Sequence, residues 1–377
     1  MAETSLDLYS IAAPGLEHIT AAELVALGVT PSSVERGGVA WRGTARELYR
    51  ANLWLRTATR VLVRVTSFHA ASFAELESRA RKVPWGRYVR ARDKVVFRVT
   101  CHKSALYHSD AVAQRMAESV TAATGCVSGA GAADDEADEG AVGEQLFVVR
   151  IDHDKLTLSA DSSGTLLHKR GYRQASAKAP LRETLAAAML LSSGWKTSQS
   201  LLDPMCGSGT IPIEAALIGR TIAPGMRREF RFERWPGFDR GSWATLRDEA
   251  SAGEQSRAPA SIVAADRDQG AIDATIANAE RAGVGADIEI VQRTVSESIA
   301  GGTEPGWVIT NPPYGIRIGT DVRNLYARLG SLMGSSLKGW RLGLLSASPD
   351  LERQLGIPLE RVFDAKNGGI PIKFVVG

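Results

Sequence analysis

The chain has 377 residues, 44% of them hydrophobic and 23% charged, with a formal net charge of +3. Such values suit a globular chain of two or three domains and exclude wholesale disorder, and no apolar run approaches the ~20 residues of a membrane-spanning helix. Three cysteines without a CxxC pair exclude a disulfide framework, and six histidines that do not cluster with them argue against a structural zinc site, so no metal is expected. The segment MAETSLDLYS carries early acids and no basic cluster, so neither a signal nor a transit peptide is expected and a cytosolic location is.

In chain order, LDLYSIAA reads as a strand and Leu16–Leu27 as a helix stopped by Gly28. VERGGVAWRG reads as a hairpin around Gly37 and Gly38, ARELYRANLWL as a helix and RVLVRVTSF as an alternating strand. This order fits a ferredoxin-like unit over residues 1–66. A second α+β unit is expected over 67–165. It comprises the helix ASFAELESRARKV, the strand KVVFRVTCHK, and the helix SDAVAQRMAESVTAA capped by Ser109 or Asp110. The two strands of LFVVRIDHDKLTLSAD follow, turning at His153 and Asp154. Between them Ser128–Glu144 is rich in acids, Gly and Ala and reads as a surface loop. From 166 a linker with cationic residues leads into alternating strands and helices, the pattern of a doubly wound, mostly parallel sheet.

Charge is unevenly placed. From Arg79 to Lys103 nine cations, Arg79, Arg81, Lys82 and Lys103 among them, face only Asp93. This is either a surface for phosphates or a solvated face that keeps the domain soluble. The insert Pro224–Trp243 mixes four arginines with Phe230, Phe232, Trp235, Phe238 and Trp243, which suits either stacking on single-stranded RNA or a satellite core.

Two strand tips carry the cofactor signal. SLLDPMCGSGTIPIEAAL runs strand, Asp203, glycine loop, helix. Gly207 and Gly209 allow a tight turn and close ligand approach. GxxxxGK[ST] is absent, and Pro212 occupies the third glycine position of GxGxxG, so neither a phosphate loop nor a dinucleotide site is indicated. An acid before a short glycine loop suits an amine-bearing ligand such as the methionine part of S-adenosylmethionine. SIVAAD ends in Asp266, placed to bind both ribose hydroxyls, while Asp268 caps the next helix. WVITNPPYG then puts Asn311, Pro312, Pro313 and Tyr314 at a strand's carboxyl end. The prolines remove two backbone donors. The Asn311 side-chain oxygen and the Pro312 carbonyl remain as acceptors for an exocyclic base amine, and Tyr314 offers a stacking face. Cys206 has no cationic or histidine partner near it in sequence and is not expected to be a nucleophile. His102 and His108 are expected to be exposed or RNA-facing.

DPMCGSGTIPIEAALI, APGMRREFRFERWPGFD and TNPPYG resemble the RNA guanine-N2 methyltransferases that carry an N-terminal THUMP domain. GLEHITAAELVALGV, GGVAWRG and YRANLWLRTATRVLV resemble that family's ferredoxin-like domain, and LHKRGYR with APLRETLAAAML the segment joining THUMP to the catalytic domain. The resemblance implies a ferredoxin-like domain (1–66), a THUMP RNA-binding domain (67–165) and a Rossmann-like methyltransferase domain (166–377). It implies S-adenosylmethionine as cofactor and ribosomal or transfer RNA as substrate. Composition and hydropathy give no membrane or metal partner, and both a monomer and a dimer fit the sequence. The cofactor candidates are Asp203, Pro204, Met205, Gly207, Gly209, Asp266, Arg267, Thr294, Arg182 and Asn311, with Pro180 and Leu181 in the segment near the cofactor. Asn311, Pro312 and Tyr314 are the catalytic candidates, and Arg79, Arg81, Lys82, Lys103, Lys169, Arg170 and Arg173 the RNA contacts. Thr294 stands where many relatives have an aspartate beside the adenine. Adenine-N6 methylation of nucleic acid, and an inactive RNA-binding or assembly protein, are the alternatives; a small-molecule methyltransferase ranks behind them.

Overall fold

The computed structural model describes residues 5–132, 143–174, 181–297, 304–314 and 320–377. Two sheets organise them. The first has eight strands: β1 (Leu6–Ala12), β2 (Pro31–Glu35), β3 (Gly38–Gly43), β4 (Ala58–His69), β5 (Lys94–His102), β6 (Val127–Ala132), β7 (Gln145–Asp152) and β8 (Lys155–Asp161), in the order β2-β3-β1-β4-β8-β7-β5-β6. Helices α1 (Glu17–Ala26), α2 (Ala45–Trp54), α3 (Phe73–Ala80) and α4 (Ser109–Thr124) pack on one face of it.

The first four strands and two helices have the expected strand–helix–strand–strand–helix–strand order. Thr44 begins α2 with a reciprocal capping box to Glu47, which satisfies two orphan N–H groups. At α4 the expectation fails in detail. The cap position belongs to His108, with Ser109 and Asp110 inside the first turn. The turn at His153 and Asp154 is present, both residues having positive φ (48° and 59°), which matches the twist of the two strands it joins.

The boundary expected at 66/67 falls inside β4. Residues Leu62–His69 of this long strand pair antiparallel with Asp161–Lys155 of β8, so the two N-terminal units share one continuous sheet. Without β8, the outer edge of β4 would expose a row of unpaired backbone groups.

The second sheet holds β9 (Leu201–Asp203), β10 (Ile262–Asp266), β11 (Ile288–Gln292), β12 (Trp307–Thr310), β13 (Arg341–Ser346), β14 (Glu360–Asn367) and β15 (Ile370–Val376), ordered β11-β10-β9-β12-β13-β15-β14. The first five are parallel, and β15 and β14 close the sheet antiparallel. Helices α5 (Glu183–Ser193), α6 (Thr210–Gly219), α8 (Gln269–Ala282), α9 (Thr320–Gly334) and α10 (Pro349–Leu355) complete this half, while α7 (Arg240–Ala252) buries Trp243, Leu246 and Ala250 in the core of the first sheet. The strand order reverses between β9 and β12, where open α/β sheets bind ligands. The fold class is therefore the expected one, a Rossmann-like sheet preceded by α+β structure.

The aromatic insert resolves as core. Phe230, Phe232, Trp235 and Trp243 are all buried, and they join the core of the first sheet rather than the second. Phe232 stacks on Tyr49 of α2 at 4.4 Å between centroids, and Trp235 meets Tyr88 edge-on at 5.0 Å. The Gln145 side-chain carbonyl accepts from Trp235 Nε1 (2.8 Å) and Arg231 Nε (3.1 Å). The insert thus plugs the gap between the two helical pairs and fastens the halves together. Burying each such ring contributes roughly 1.5–3 kcal/mol. Among the described residues no helix is long and apolar enough to cross a membrane.

Candidate active site

The site lies at the carboxyl ends of β9, β10 and β12. Asp203 ends β9 and is 1% exposed. Its Oδ1 accepts from Thr310 Oγ1 of β12 (2.7 Å) and from the Met205 N–H (3.2 Å). Burial outweighs these bonds and pushes the Asp203 carboxyl up to about 7, with the Asp266 charge adding to the rise.

The glycine loop is braced from both sides. Gly207 N–H donates to Asp266 Oδ2 (3.0 Å), and the Cys206 N–H to the Ala265 carbonyl (3.0 Å). From α8, Thr275 Oγ1 donates to the Gly207 carbonyl (2.9 Å) and Asn278 Nδ2 to the Ser208 carbonyl (3.0 Å). Gly209 has φ +82°, and a Cβ there would lie 2.6 Å from Thr275 Cγ2, so α8 can approach only a glycine. At Gly207 (φ +56°) a Cβ would meet nothing within 4 Å, which leaves open space over the loop. Burial raises the Cys206 thiol far above its usual range, in keeping with an inert thiol.

Asp266 ends β10 one strand away, two residues beyond Ala264, which is in register with Asp203. Its Oδ1 accepts from the Asp268 N–H (3.0 Å), and Asp268 in turn caps α8 through the Ala271 N–H (3.0 Å). Beyond β11, Thr294 donates its N–H (3.0 Å) and hydroxyl (2.8 Å) to Glu297 Oε2. These bonds hold the Glu297 carboxyl below its ordinary value.

Asn311 follows β12. Its Oδ1 is buried and has no hydrogen-bond partner among the described residues. Pro312 is buried behind it. Tyr314 is half-buried, and its hydroxyl accepts from Asn367 Nδ2 (2.8 Å) at the end of β14.

Residues 170–374 match the family described as RMKL-like, methyltransferase domain, and residues 7–62 match the RlmL ferredoxin-like domain. The chain belongs to the RMKL-like methyltransferase family. It is 33% identical to a Synechocystis sp. protein provisionally named RNA methyltransferase slr0064, over 98% of this chain and 95% of that one. Identity is also 33% to the ribosomal RNA large subunit methyltransferase K/L of Syntrophotalea carbinolica, over 99% of this chain but 53% of the relative, so the chain spans about half that protein's length. The structure of SMU.472, provisionally named a methyltransferase and crystallised with SAH, superposes with a TM-score of 0.86 at 28% identity, covering 100% of this chain and 98% of that one.

In this methyltransferase the structure gathers Asp203, Pro204, Met205, Gly207, Gly209, Asp266 and Asn311 at adjoining strand tips. Arg267 and Arg182 are exposed, Arg182 at the start of α5, while Pro180 lies outside the described residues. Arg79, Arg81, Lys82 and Lys103 are exposed and Lys169 is half-buried.

Two of the expected RNA contacts are corrected. Arg170 is 3% exposed, and it grips the fully buried Glu214 of α6 through Nε (3.2 Å) and Nη2 (3.3 Å). Tyr172 Oη donates to the same carboxylate (3.1 Å). An acid buried without a cation would be far more costly, so Arg170 is committed to the interior. Arg173 is likewise occupied, with Glu183 at 2.7 Å and the Leu181 carbonyl at 2.8 Å. The signal for Arg170 was a lone acid in the otherwise apolar helix TIPIEAALIG. Thr275, Asn278, Thr310 and Asn367 were missed because each acts across the fold on a motif distant in sequence.

His102 and His108 are exposed. His102, Asp152 and His153 cluster at the far tip of the first sheet, with both imidazole Nδ1 atoms on Asp152 Oδ1 at 2.8 and 3.0 Å. The sequence reading did not anticipate this group of possible metal ligands.

Proposed function

We propose that this protein transfers the methyl group of S-adenosylmethionine to the exocyclic N2 amine of a guanosine in structured RNA, ribosomal or transfer. The observation that carries this reading is Asn311 Oδ1. A buried acceptor without a donor costs roughly 1–3 kcal/mol, and this one sits at a ligand-binding strand tip before two prolines that have no N–H to offer. A base amine supplies the missing donor. Its second N–H goes to the Pro312 carbonyl, and with both held the nitrogen lone pair is aimed.

S-adenosylmethionine supplies an electrophilic sulfonium methyl when bound. The chain's residues fit it. Asp203 pairs with the α-ammonium, the open space over Gly207 admits the cofactor against the loop, and each Asp266 oxygen keeps a lone pair for a ribose hydroxyl. Tyr314, its ring fixed through Asn367, stacks on the target base once that base leaves its helix. A neutral amine attacking a sulfonium needs chiefly proximity and alignment. The proton leaves late, and no strong general base is required. Residues 67–165 serve as the THUMP RNA-binding unit. The free thiols Cys101, Cys126 and Cys206 suit a reducing cytoplasm.

The names of the K/L and slr0064 relatives and the SAH bound to SMU.472 support the reading. The test is methyl transfer from labelled S-adenosylmethionine to unmodified bulk RNA digested to nucleosides, with Asn311→Ala and a DNA substrate alongside. Label in N2-methylguanosine that disappears in the variant is the expected result. Label in N6-methyladenosine would overturn the base assignment. No label on either nucleic acid, with no cofactor binding, would overturn the enzyme.

A further inference from the structure

A second cluster of donors lies in the first sheet, where β5 ends beside the turn between β7 and β8. Parallel register sets His102, the last residue of β5, against Asp152, the last of β7. The chain then turns through His153 and Asp154 into β8. The His102 and His153 Nδ1 atoms lie 2.8 and 3.0 Å from one and the same oxygen, Asp152 Oδ1. The two imidazole rings cross at 76°, with centroids 5.8 Å apart. Both histidines are exposed and Asp152 is half-buried. Among the described residues these three form a group whose possible ligand atoms all lie within 4.8 Å of one another.

The backbone that carries these donors is fixed. Ala70 donates its N–H to the Asp154 carbonyl (2.9 Å), and Ala105 its N–H to Asp154 Oδ1 (2.7 Å). The Asp154 N–H donates to Ser104 Oγ (3.1 Å), and that hydroxyl donates to the His102 carbonyl (2.7 Å). The same carbonyl accepts from the His153 N–H (3.2 Å). Asp154 thus bolts the turn to the segment after β5 and leaves Asp152 to the histidines. Lys103, His153 and Asp154 take positive φ (44°, 48° and 59°), three of the five non-glycine residues that do so among those described. The hairpin accounts for His153 and Asp154. It does not account for Lys103, whose strained backbone follows directly on His102.

We propose that His102, Asp152 and His153 bind one divalent transition ion of the zinc or cobalt class, through two imidazole Nδ1 atoms and one carboxylate oxygen. A cluster made only of hydrogen bonds has no need to bring both nitrogens to one oxygen, because a carboxylate offers two. Three donors meeting at one point is what a single ion requires. On a tetrahedral zinc, with bonds of about 2.0–2.2 Å, neighbouring donors stand roughly 3.3 Å apart and two imidazole centroids roughly 5 Å apart. The nitrogens and the oxygen therefore need to part by only about half an ångström, which exposed side chains achieve by small rotations. Two imidazoles disfavour magnesium and calcium, which take oxygen ligands. The thiol of Cys101, next to His102, points to the other face of β5, so soft ions lack their sulfur. Three protein ligands leave a further position for water. The ion clips the end of β5 to the β7–β8 turn. Lys103 and Lys155 are the cations nearest along the chain and oppose a dication, so binding is weaker than at a cysteine site. The site belongs to the first sheet and stands apart from the methyl-transfer tips and from the RNA reading.

The test uses the full chain without an affinity tag, stripped of metal by a chelator. Co2+ is titrated and followed by its visible ligand-field bands, then displaced with Zn2+. One Co2+ per chain is expected, with a spectrum changed from that of the hydrated ion, and excess Mg2+ should leave it in place. His102→Gln, Asp152→Asn and His153→Asn should each weaken binding by at least about tenfold. Asn is tolerated at the positive φ of His153. His108→Gln, which removes a neighbouring exposed histidine, should bind as wild type does. SAH affinity should be unchanged in all four and reports on folding. Zn2+ should slow amide hydrogen exchange in 102–105 and 152–155 and leave the glycine loop after β9 unaffected. No Co2+ bound by the wild type, displacement by Mg2+, wild-type binding in the three ligand variants, or an equal loss in His108→Gln would each overturn the site.

Discussion

The two sheets place function differently. In the second sheet every proposed chemical group sits at a strand's carboxyl end or in the loop that follows, so each lies in a short run: DPMCGSG, AAD, NPPY. In the first sheet the proposed groups come from separate strands, His102 from β5 and Asp152 with His153 from the end of β7, fifty residues apart. A parallel sheet exports its ligand groups to one edge, where consecutive residues work together. The face of a mixed sheet, in which β5 runs parallel to β6 and β7 and the other pairs are antiparallel, instead collects alternate residues from many strands. Contiguous motifs therefore report the first kind of site and stay silent on the second.

The largest expected effect tests the tip site. Asn311→Ala removes a buried acceptor that has no hydrogen-bond partner among the described residues and should lower methyl transfer by at least 10²–10³-fold, comparable to removing a positioned oxyanion donor. SAH affinity should stay within a few fold, because Asp203 and the glycine loop are the groups proposed to hold the cofactor. A KM change alone, with kcat intact, would reduce Asn311 to a binding residue.

The joint between the sheets comes next. Phe232 is fully buried in the core of the first sheet although it belongs to the catalytic half of the chain. Phe232→Ala should destabilise the protein by about 3–5 kcal/mol. Because the insert belongs to both halves, thermal unfolding should remain one transition in the wild type and split in the variant. A single, barely shifted transition would show that the halves are coupled elsewhere, with the Arg56–Glu214 pair (3.8 Å), which crosses from the first half to the second, the first candidate.

A pH titration separates cofactor binding from folding. Asp203 is raised from 3.8 to about 7 by burial, so the native state holds a proton that the unfolded chain releases between these values. Stability of the free protein from this group is full below pH 3.8 and is lost as pH rises through about 7. Glu183, raised from 4.5 to about 7 by burial, acts in the same direction. A bound ammonium favours the carboxylate, so SAH affinity should run oppositely. It should rise about tenfold per pH unit below 7 and level off above. Asp203→Asn should remove that slope, and calorimetry in buffers of different ionisation enthalpy should show the proton released by wild type alone. A pH-independent wild type would remove Asp203 from the ammonium site.

These particulars mark what was legible. The doubly wound half could be read because its strands alternate with helices and its motifs follow strand ends. The ferredoxin-like order could be read because each element has a clear period. The joining of the N-terminal units could not, because pairing of β4 with β8 links residues about ninety apart and leaves no local sign. Arg170 was misplaced for a related reason. A cationic run reads as surface until a buried partner such as Glu214 is brought to it by the fold. The insert's aromatics left core and RNA stacking equally open, and only the notch beside Tyr49 and Tyr88 decides between them.

The smallest effect sharpens the tip site from outside its motif. Asn367 ends β14 and donates to the Tyr314 hydroxyl, and nothing in NPPY announces it. The bond fixes the angle of a ring proposed to stack on the base. Its loss is worth about 1 kcal/mol, or roughly fivefold. Asn367→Ala should therefore raise KM for RNA about fivefold with SAH affinity unchanged, and Tyr314→Phe should do much the same, keeping the ring but losing its tether. If the two act through one bond, the double variant should be no worse than either single one. Additive losses would mean that Asn367 meets the substrate itself, and no loss in either would mean that the ring is held by its packing against the core of the second sheet.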